Sequence, residues 1–316
     1  MSSHKLAELK ESLAEKKTKA FLVIRNDKIV YEWYAPGHSA TNRHSTASMA
    51  KAIVGGLALG VAVSDGRISL DDKAATFIPQ WRDHPMKSRI TIRHLGSHTS
   101  GIQDAWDKQL AATGADHEKF PGWEGDFWRW RSRAAGKPND AFTLSRDVAP
   151  VLFEPGTAWA YSNPGIALMD YTVTAALKDA LEIRTLLRDR IMRPIGVADG
   201  DWSCGYGKTE TVDGLPLVGS WGGGSFTARA TARIGRLMLR EGNWEGRQLL
   251  SAEAVRQITS DAGMPGPNGM GWWSNADGRT LHLVFSGDDY FSVRQATLPN
   301  RANRSMNPPN ARAFHA

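Results

Sequence analysis

The sequence predicts an α/β fold of the α+β kind: an antiparallel sheet built from both chain ends, flanked by helices, with a mostly helical insertion between. Three observations predict it. Strand-like runs open the chain, apolar residues at helical spacing alternate with Gly/Pro-rich loops through its middle, and strand-like runs return near the end. At 316 residues and 41% hydrophobic content, the chain is long enough to bury a sizeable core. Residues 1–298 read as a single unit, with the sheet part in 1–45 and 265–298 and the mostly helical part in 70–220. Residues 299–316 are rich in Asn, Arg and Pro and read as a disordered tail.

The elements follow in order. Ala20–Ile24 and Ile29–Tyr34 flank a polar turn with Asn26-Asp27 at its centre, which is a hairpin signal. From Ser45 the period becomes helical, Met49, Ile53, Leu57 and Val61 lining one face, and Asp65-Gly66 stops it. Helical stretches then cover Ile92–His98, Gly165–Ala180, Ile183–Met192 and Ala228–Glu241. Strand character returns in Met270–Trp273, Thr280–Phe285 and Tyr290–Leu298.

Composition narrows the function classes. The longest apolar stretch, Ala52–Val63, falls short of the roughly 20 residues that cross a bilayer, so no membrane span is expected. Residues 1–19 lack the apolar core and cleavage site of a secretory signal, and Cys204 stands alone; both lead to the expectation of a cytoplasmic protein. The net charge of +6 and the interleaved Phe127–Arg133 segment invite a nucleic-acid reading. Glu124 and Asp126 flank that segment, and much of the remaining excess lies in the tail, so a solvated basic surface and no nucleic-acid partner are expected. His94 and His98 have the spacing of a zinc pair without the accompanying glutamate or an evident third ligand, so neither a metal nor an organic cofactor is expected. The glycine run at Gly222 lacks the lysine and hydroxyl residue of a phosphate-binding loop and reads as a tight turn.

The chemistry rests on Ser48 and Lys51. Three residues apart at the start of a helix, their side chains share one face and can touch. A serine hydroxyl needs a base to take its proton, and a lysine serves only when burial or positive neighbours lower its pKa. The first helical turn supplies positive potential and free N–H groups close to where an oxyanion would form. Alone, a Ser-x-x-Lys pattern is equally a capping serine beside an exposed lysine.

Further segments fall in a fixed order. Glu154-Pro155-Gly156 and Tyr161-Ser162-Asn163 precede a glycine-led helix, Leu95–Ile102 follows the Ser48 helix, and Gly222–Ser225 leads through another helix to Gly242–Ser251. Together these resemble the serine beta-lactamase and penicillin-binding-protein superfamily, in particular class C beta-lactamases and the related family VIII carboxylesterases, over roughly residues 15–275. The resemblance implies a beta-lactamase/transpeptidase-like fold and an acyl-enzyme formed on Ser48. It implies that Lys51 activates the serine and that Tyr161 shuttles the proton, leaving open which is the formal base. Asn163 would hold a polar group of the substrate or Lys51 itself, or be only a turn residue before Pro164. The Ser48 backbone N–H would be one oxyanion donor, the second coming from a third motif at the head of an inner strand.

That third motif departs from the family pattern. Phe285-Ser286-Gly287 is the best-placed candidate, which would make Ser286 and Gly287 substrate-binding, and a plain hairpin turn is the competing reading. Trp221-Gly222-Gly223 resembles a Trp-x-Gly form but leads into a helix. The chain stops some 40–70 residues before the family pattern does, as a truncated or frame-shifted reading frame would, and an exposed sheet edge is expected to favour aggregation. The resemblance implies a small-molecule ester or amide as substrate. A carboxylesterase is expected first, because the Trp-rich stretch Trp123–Trp130 suits apolar groups and an export signal is lacking. Competing readings are a beta-lactamase or D-aminopeptidase-like amide hydrolase, and a catalytically dead member. The sequence leaves the oligomeric state open.

Overall fold

A computed structural model describes residues 3–104, 127, 138–177, 181–266, 269–274, 280–283 and 291–294. It is a mixed helical and antiparallel-sheet protein, the class expected. Helix α1 (Ser3–Glu15) leads into the hairpin β1 (Ala20–Arg25) and β2 (Lys28–Tyr34). Asn26 and Asp27 both take positive φ, 51° and 63°. That is the two-residue turn whose twist matches the strands it joins, and asparagine and aspartate tolerate it best after glycine.

The centre of the molecule is the segment from Ala47 to Ser64. A 3-10 turn (Ala47–Met49) passes into a π-helical stretch (Lys51–Gly56) and then into α2 (Leu57–Ser64). The expected start at Ser45 is corrected: Ser45 ends strand β3 (Arg43–Ser45). The expectation of a single apolar face is corrected as well. Ala50, Ala52, Ile53, Val54, Leu57, Ala58, Leu59, Val61 and Ala62 are all fully buried, so the helix is enclosed all round. Ala47–Ser64 is long and apolar enough to cross a membrane, yet 78% of it is buried inside the fold, so the core takes up its apolar surface.

Glycines allow this enclosure. A Cβ on Gly55 would lie 2.2 Å from Ser220 Oγ, one on Gly56 2.4 Å from Met270 O, and one on Gly60 2.7 Å from the Ile258 side chain. Packed around the central helix are α5 (Asn163–Ala176), α6 (Ile183–Leu187) and α8 (Ala252–Thr259), α3 (Ile92–Gly96) and α4 (Ala141–Thr143) having come earlier in the chain. The amphipathic α7 (Ala228–Leu239) packs against β1. Short pairings complete the loops, and the one that matters for the site is the ladder β3–β5–β4, with β4 Trp202–Ser203 and β5 Ser225–Thr227. It brings the chain after Gly224 alongside the chain before Thr46, whose N–H donates to Gly224 O at 2.9 Å.

Late in the chain Trp273–Ser274, Thr280–Leu283 and Phe291–Arg294 form a three-stranded antiparallel sheet. Among the described residues this sheet and the β1–β2 hairpin are separate ladders. The tail 299–316, Ser286, Gly287 and the Trp-rich stretch apart from Phe127 lie outside the described residues.

Candidate active site

Ala47, the residue before Ser48, has φ of +41° although it carries a Cβ. A non-glycine residue in that region is strained, and strain of this kind concentrates at functional turns. The turn leaves Ser48 partly exposed, while Lys51, one 3-10 turn later, is 2% exposed.

Tyr161 and Asn163 come from the start of α5. Ser162 caps that helix by accepting the Gly165 N–H at 2.9 Å, and Pro164 follows in its first turn. The cap leaves Tyr161 just outside the helix and Asn163 just inside it. Tyr161 is gripped on both sides by His98, whose carbonyl accepts the Ala160 N–H at 2.9 Å and whose Nδ1 accepts the Ser162 N–H at 3.2 Å. The His98 ring also stacks on the Tyr161 ring, 4.5 Å between centroids and 28° between planes.

The four side chains converge. Tyr161 donates its O–H to Ser48 Oγ at 2.7 Å, and Lys51 Nζ lies 3.0 Å from the same oxygen. Lys51 Nζ also donates to Asn163 Oδ1 at 2.7 Å and to the Trp221 carbonyl at 2.6 Å. Asp104 fixes the asparagine, accepting from its backbone N–H at 2.9 Å and from its Nδ2 at 3.1 Å. A carboxylate only accepts, so the Asn163 amide nitrogen must face Asp104 and its oxygen must face Lys51. The geometry shows Asn163 holding Lys51, so it is more than a turn residue before Pro164.

Two of the three amine positions of Lys51 therefore point at carbonyl oxygens, which cannot donate, and the third faces Ser48. In a neutral amine that third position is the lone pair. Burial lowers the pKa of Lys51 to about 7, against the pull of the carboxylates of Asp104 and Asp170. Burial raises that of Tyr161 well above the ordinary phenol value, so the phenol keeps its proton. The arrangement can thus accept a proton from Ser48 at one atom and supply one at another.

Ser286 and Gly287, the expected substrate-binding pair, lie outside the described residues. Trp221-Gly222-Gly223 is in the site: Trp221 holds Lys51 through its carbonyl, and a Cβ on Gly222 would sit 3.7 Å from the Ala47 carbonyl. The histidines of the would-be zinc pair have other work, since His94 Nδ1 accepts the Thr91 N–H in the box that caps α3 and His98 Nδ1 is taken by Ser162. Three participants had no signal that marked them out. These are Asp104, 59 positions from its partner; the Trp221 carbonyl, which any residue type could supply; and the clasp made by His98.

The family model described as Beta-lactamase matches residues 11–299. A 6-aminohexanoate-dimer hydrolase of Paenarthrobacter ureafaciens is 25% identical over 258 residues, 80% of this chain, and the chain spans only 60% of that relative's length. Among solved structures, a Bacillus anthracis protein provisionally named a 6-aminohexanoate-dimer hydrolase superposes with a TM-score of 0.63 at 21% identity, over 87% of this chain and 70% of that one. The octameric penicillin-binding protein homologue from Pyrococcus abyssi gives a TM-score of 0.59 at 17% identity, over 90% and 68%. With the family match covering most of its length, the chain belongs to the Beta-lactamase family.

Proposed function

We propose that the protein is a serine hydrolase that cleaves small-molecule carboxylic esters through an acyl-enzyme on Ser48. The observation that carries this reading is the convergence of Lys51 Nζ and the Tyr161 hydroxyl on Ser48 Oγ, at 3.0 and 2.7 Å. In the proposed cycle Ser48 Oγ attacks the substrate carbonyl carbon as its proton passes to Lys51 Nζ, giving a tetrahedral oxyanion. In the same cycle the Ser48 backbone N–H is one donor to that charge, with the positive end of the helix behind it. Collapse breaks the bond to the leaving group, which takes a proton from Tyr161 as the phenol regains one from Lys51. Water then attacks the acyl carbon, its proton returns along the same groups, and the acid leaves with Ser48 restored. The directions of the pKa shifts support Lys51 as the base and Tyr161 as the proton donor.

A second reading, amide hydrolysis, is favoured by the names of the relatives. One is a 6-aminohexanoate-dimer hydrolase, and a D-stereospecific amidohydrolase from Streptomyces sp. superposes with a TM-score of 0.55 at 18% identity. Rates on p-nitrophenyl esters measured beside nitrocefin, D-alanyl amides and a 6-aminohexanoate dimer rank the two readings.

The hydrolase reading itself is tested by labelling. A fluorophosphonate probe is expected to add its phosphonyl group to the peptide containing Ser48, visible as a mass increase, and Ser48→Ala is expected to abolish the adduct. Wild-type protein left unlabelled, with no turnover of any ester or amide, overturns the reading in favour of a catalytically dead member.

A further inference from the structure

Besides Ser48, Lys51 Nζ has two acceptors, Asn163 Oδ1 at 2.7 Å and the Trp221 carbonyl at 2.6 Å. The first belongs to a side chain that Asp104 anchors. The second is a loop carbonyl, and beyond it the chain runs through Gly222, Gly223 and Gly224, which offer no side chain to fix it from that direction. Its anchor lies on the other side, at Ser220.

Asp170 holds Ser220 at two points. One carboxyl oxygen accepts the Ser220 N–H at 2.7 Å, and the other meets the Ser220 hydroxyl at 2.6 Å. Both residues are 0% exposed, so water cannot stand in for either contact. The Ser220 hydroxyl also lies 2.2 Å from where a Cβ of Gly55 would be, so it is seated on bare backbone of the central helix four residues after Lys51. Asp170 follows Asn163 by seven residues, two turns of α5, and the two side chains therefore share a face. That one face carries the first acceptor of the amine and the clamp on the second.

We infer that Asp170 is a positioning residue for Lys51: by clamping Ser220 it fixes the Trp221 carbonyl, so that α5 sets both acceptors of the amine and leaves its third position to Ser48. This rests on the hydrolase reading above. A neutral amine has two N–H bonds and one lone pair. With both carbonyl oxygens fixed, each N–H has its acceptor and the lone pair stays on Ser48 Oγ. With the Trp221 carbonyl displaced, rotation about Cε–Nζ can turn the lone pair away from the nucleophile. Burial pushes the Asp170 carboxyl up to about 8, so near neutrality the clamp is a protonated group, one oxygen accepting and the other sharing a hydrogen bond with the hydroxyl.

The test compares Asp170→Asn with Asp170→Leu in the full chain, measuring kcat and KM on p-nitrophenyl acetate across pH and counting active sites by fluorophosphonate labelling. The two replacements are similar in size and neither can carry a charge, so a difference between them reports the Ser220 contacts alone. Asparagine can accept from the N–H and donate to the hydroxyl, and is expected to rescue kcat per labelled site to within about twofold of wild type. Leucine makes neither contact. It is expected to lower kcat per labelled site about tenfold at unchanged KM, as a small displacement of a reacting group does. Its ascending limb should lie at lower pH than that of Asp170→Asn, because the ammonium form has lost an acceptor that favours it. Damage to the fold alone would reduce the number of labelled sites and leave the rate per site and the limb in place. Where Asp170→Leu does not fold, Ser220→Ala carries the test: it removes the hydroxyl contact and the seat on Gly55, and is expected to lower kcat per labelled site about threefold, an unchanged rate overturning the inference. Equal rates per site and equal limbs in Asp170→Asn and Asp170→Leu also overturn it and leave the hydrolase reading standing, as does a loss confined to KM. A wild type that neither labels nor turns over any ester or amide overturns the hydrolase reading, and this inference with it.

Discussion

Lys51 can act as a base near neutrality because its burial disfavours the ammonium form more than Asp104 and Asp170 restore it. The base form predominates above a pKa of about 7, so kcat/KM is expected to climb as pH rises through that value and then to level. With Tyr161 pushed upward, no descending limb is expected until well into the alkaline range. Asp104→Asn removes the largest of the influences that hold the proton on Lys51, and the ascending limb should move to lower pH. A profile that is flat between pH 5.5 and 9, or falls there, sinks the assignment. His98 is a positioning residue with two separable jobs, accepting the Ser162 N–H and stacking on Tyr161. His98→Phe keeps the stack and orphans a buried N–H, a cost of about 1–3 kcal/mol, so Tm should fall with kcat changed only slightly. His98→Gln keeps an acceptor and loses the stack; Tm should hold while kcat drops about tenfold at unchanged KM, since small displacements of a reacting group are costly. Identical effects of the two variants would show that His98 only supports the fold. At this scale the spacing and order of Ser48, Lys51, Tyr161 and Asn163 single them out in the sequence, and the structure brings their side chains together. The sequence could not mark the Trp221 carbonyl, because a backbone group leaves no trace in residue identity, nor Asp104, because contacts across 59 positions have no period.

The β1–β2 hairpin was legible because Asn26-Asp27 is chemically specific for a left-handed turn, and the amphipathic α7 because one side of it faces water. The central helix was legible as a helix, but its surroundings were not. A segment enclosed on every side loses the period that reveals orientation, and nothing in residue identity marks its glycines at 55, 56 and 60 as contact points. The sharpest of these contacts comes from outside the helix. Gly271 has φ of +74°, and a Cβ there would lie 2.4 Å from the carbonyl oxygen of Lys51. Gly271→Ala must either strain its own backbone or push the helix that carries Lys51, and is expected to cost about 2 kcal/mol or more. Thermal melting should show a Tm lower by about 3 °C or more, with kcat reduced as Lys51 shifts. A variant as stable as wild type would show that the Gly271 segment yields without disturbing the helix.

Among the described residues many of the surface arginines are held in ion pairs. Arg229 meets Glu32, Arg236 and Arg240 meet Asp27, Arg190 meets Asp65 and Arg193 meets Asp199, each worth little alone in water. The charge that couples to global stability is buried. Asp170, in the middle of α5, accepts the Ser220 N–H at 2.7 Å and meets the Ser220 hydroxyl at 2.6 Å, and its burial raises its pKa from 3.8 to about 8. A folded-state pKa above the unfolded one means that the folded protein holds the proton more tightly. The stabilisation is therefore complete below about pH 3.8 and is lost as pH rises through about 8. Lys51 runs the other way. Its folded pKa of about 7 lies below its unfolded 10.5, so its contribution is present above 10.5 and lost as pH falls through 7. From pH 5 to 7 Asp170 is then the member of this buried pair whose contribution is draining away. Asn is an isostere of the neutral carboxyl and can satisfy both Ser220 contacts without titrating. Asp170→Asn should therefore gain on the wild type in urea unfolding as pH rises, with a larger margin at pH 8, where the wild type has begun to bear a carboxylate in a dry site, than at pH 5. An equal difference between the two proteins at both pH values would mean that Asp170 is ionised throughout, and that the pocket of Lys51 is more polar than its burial implies.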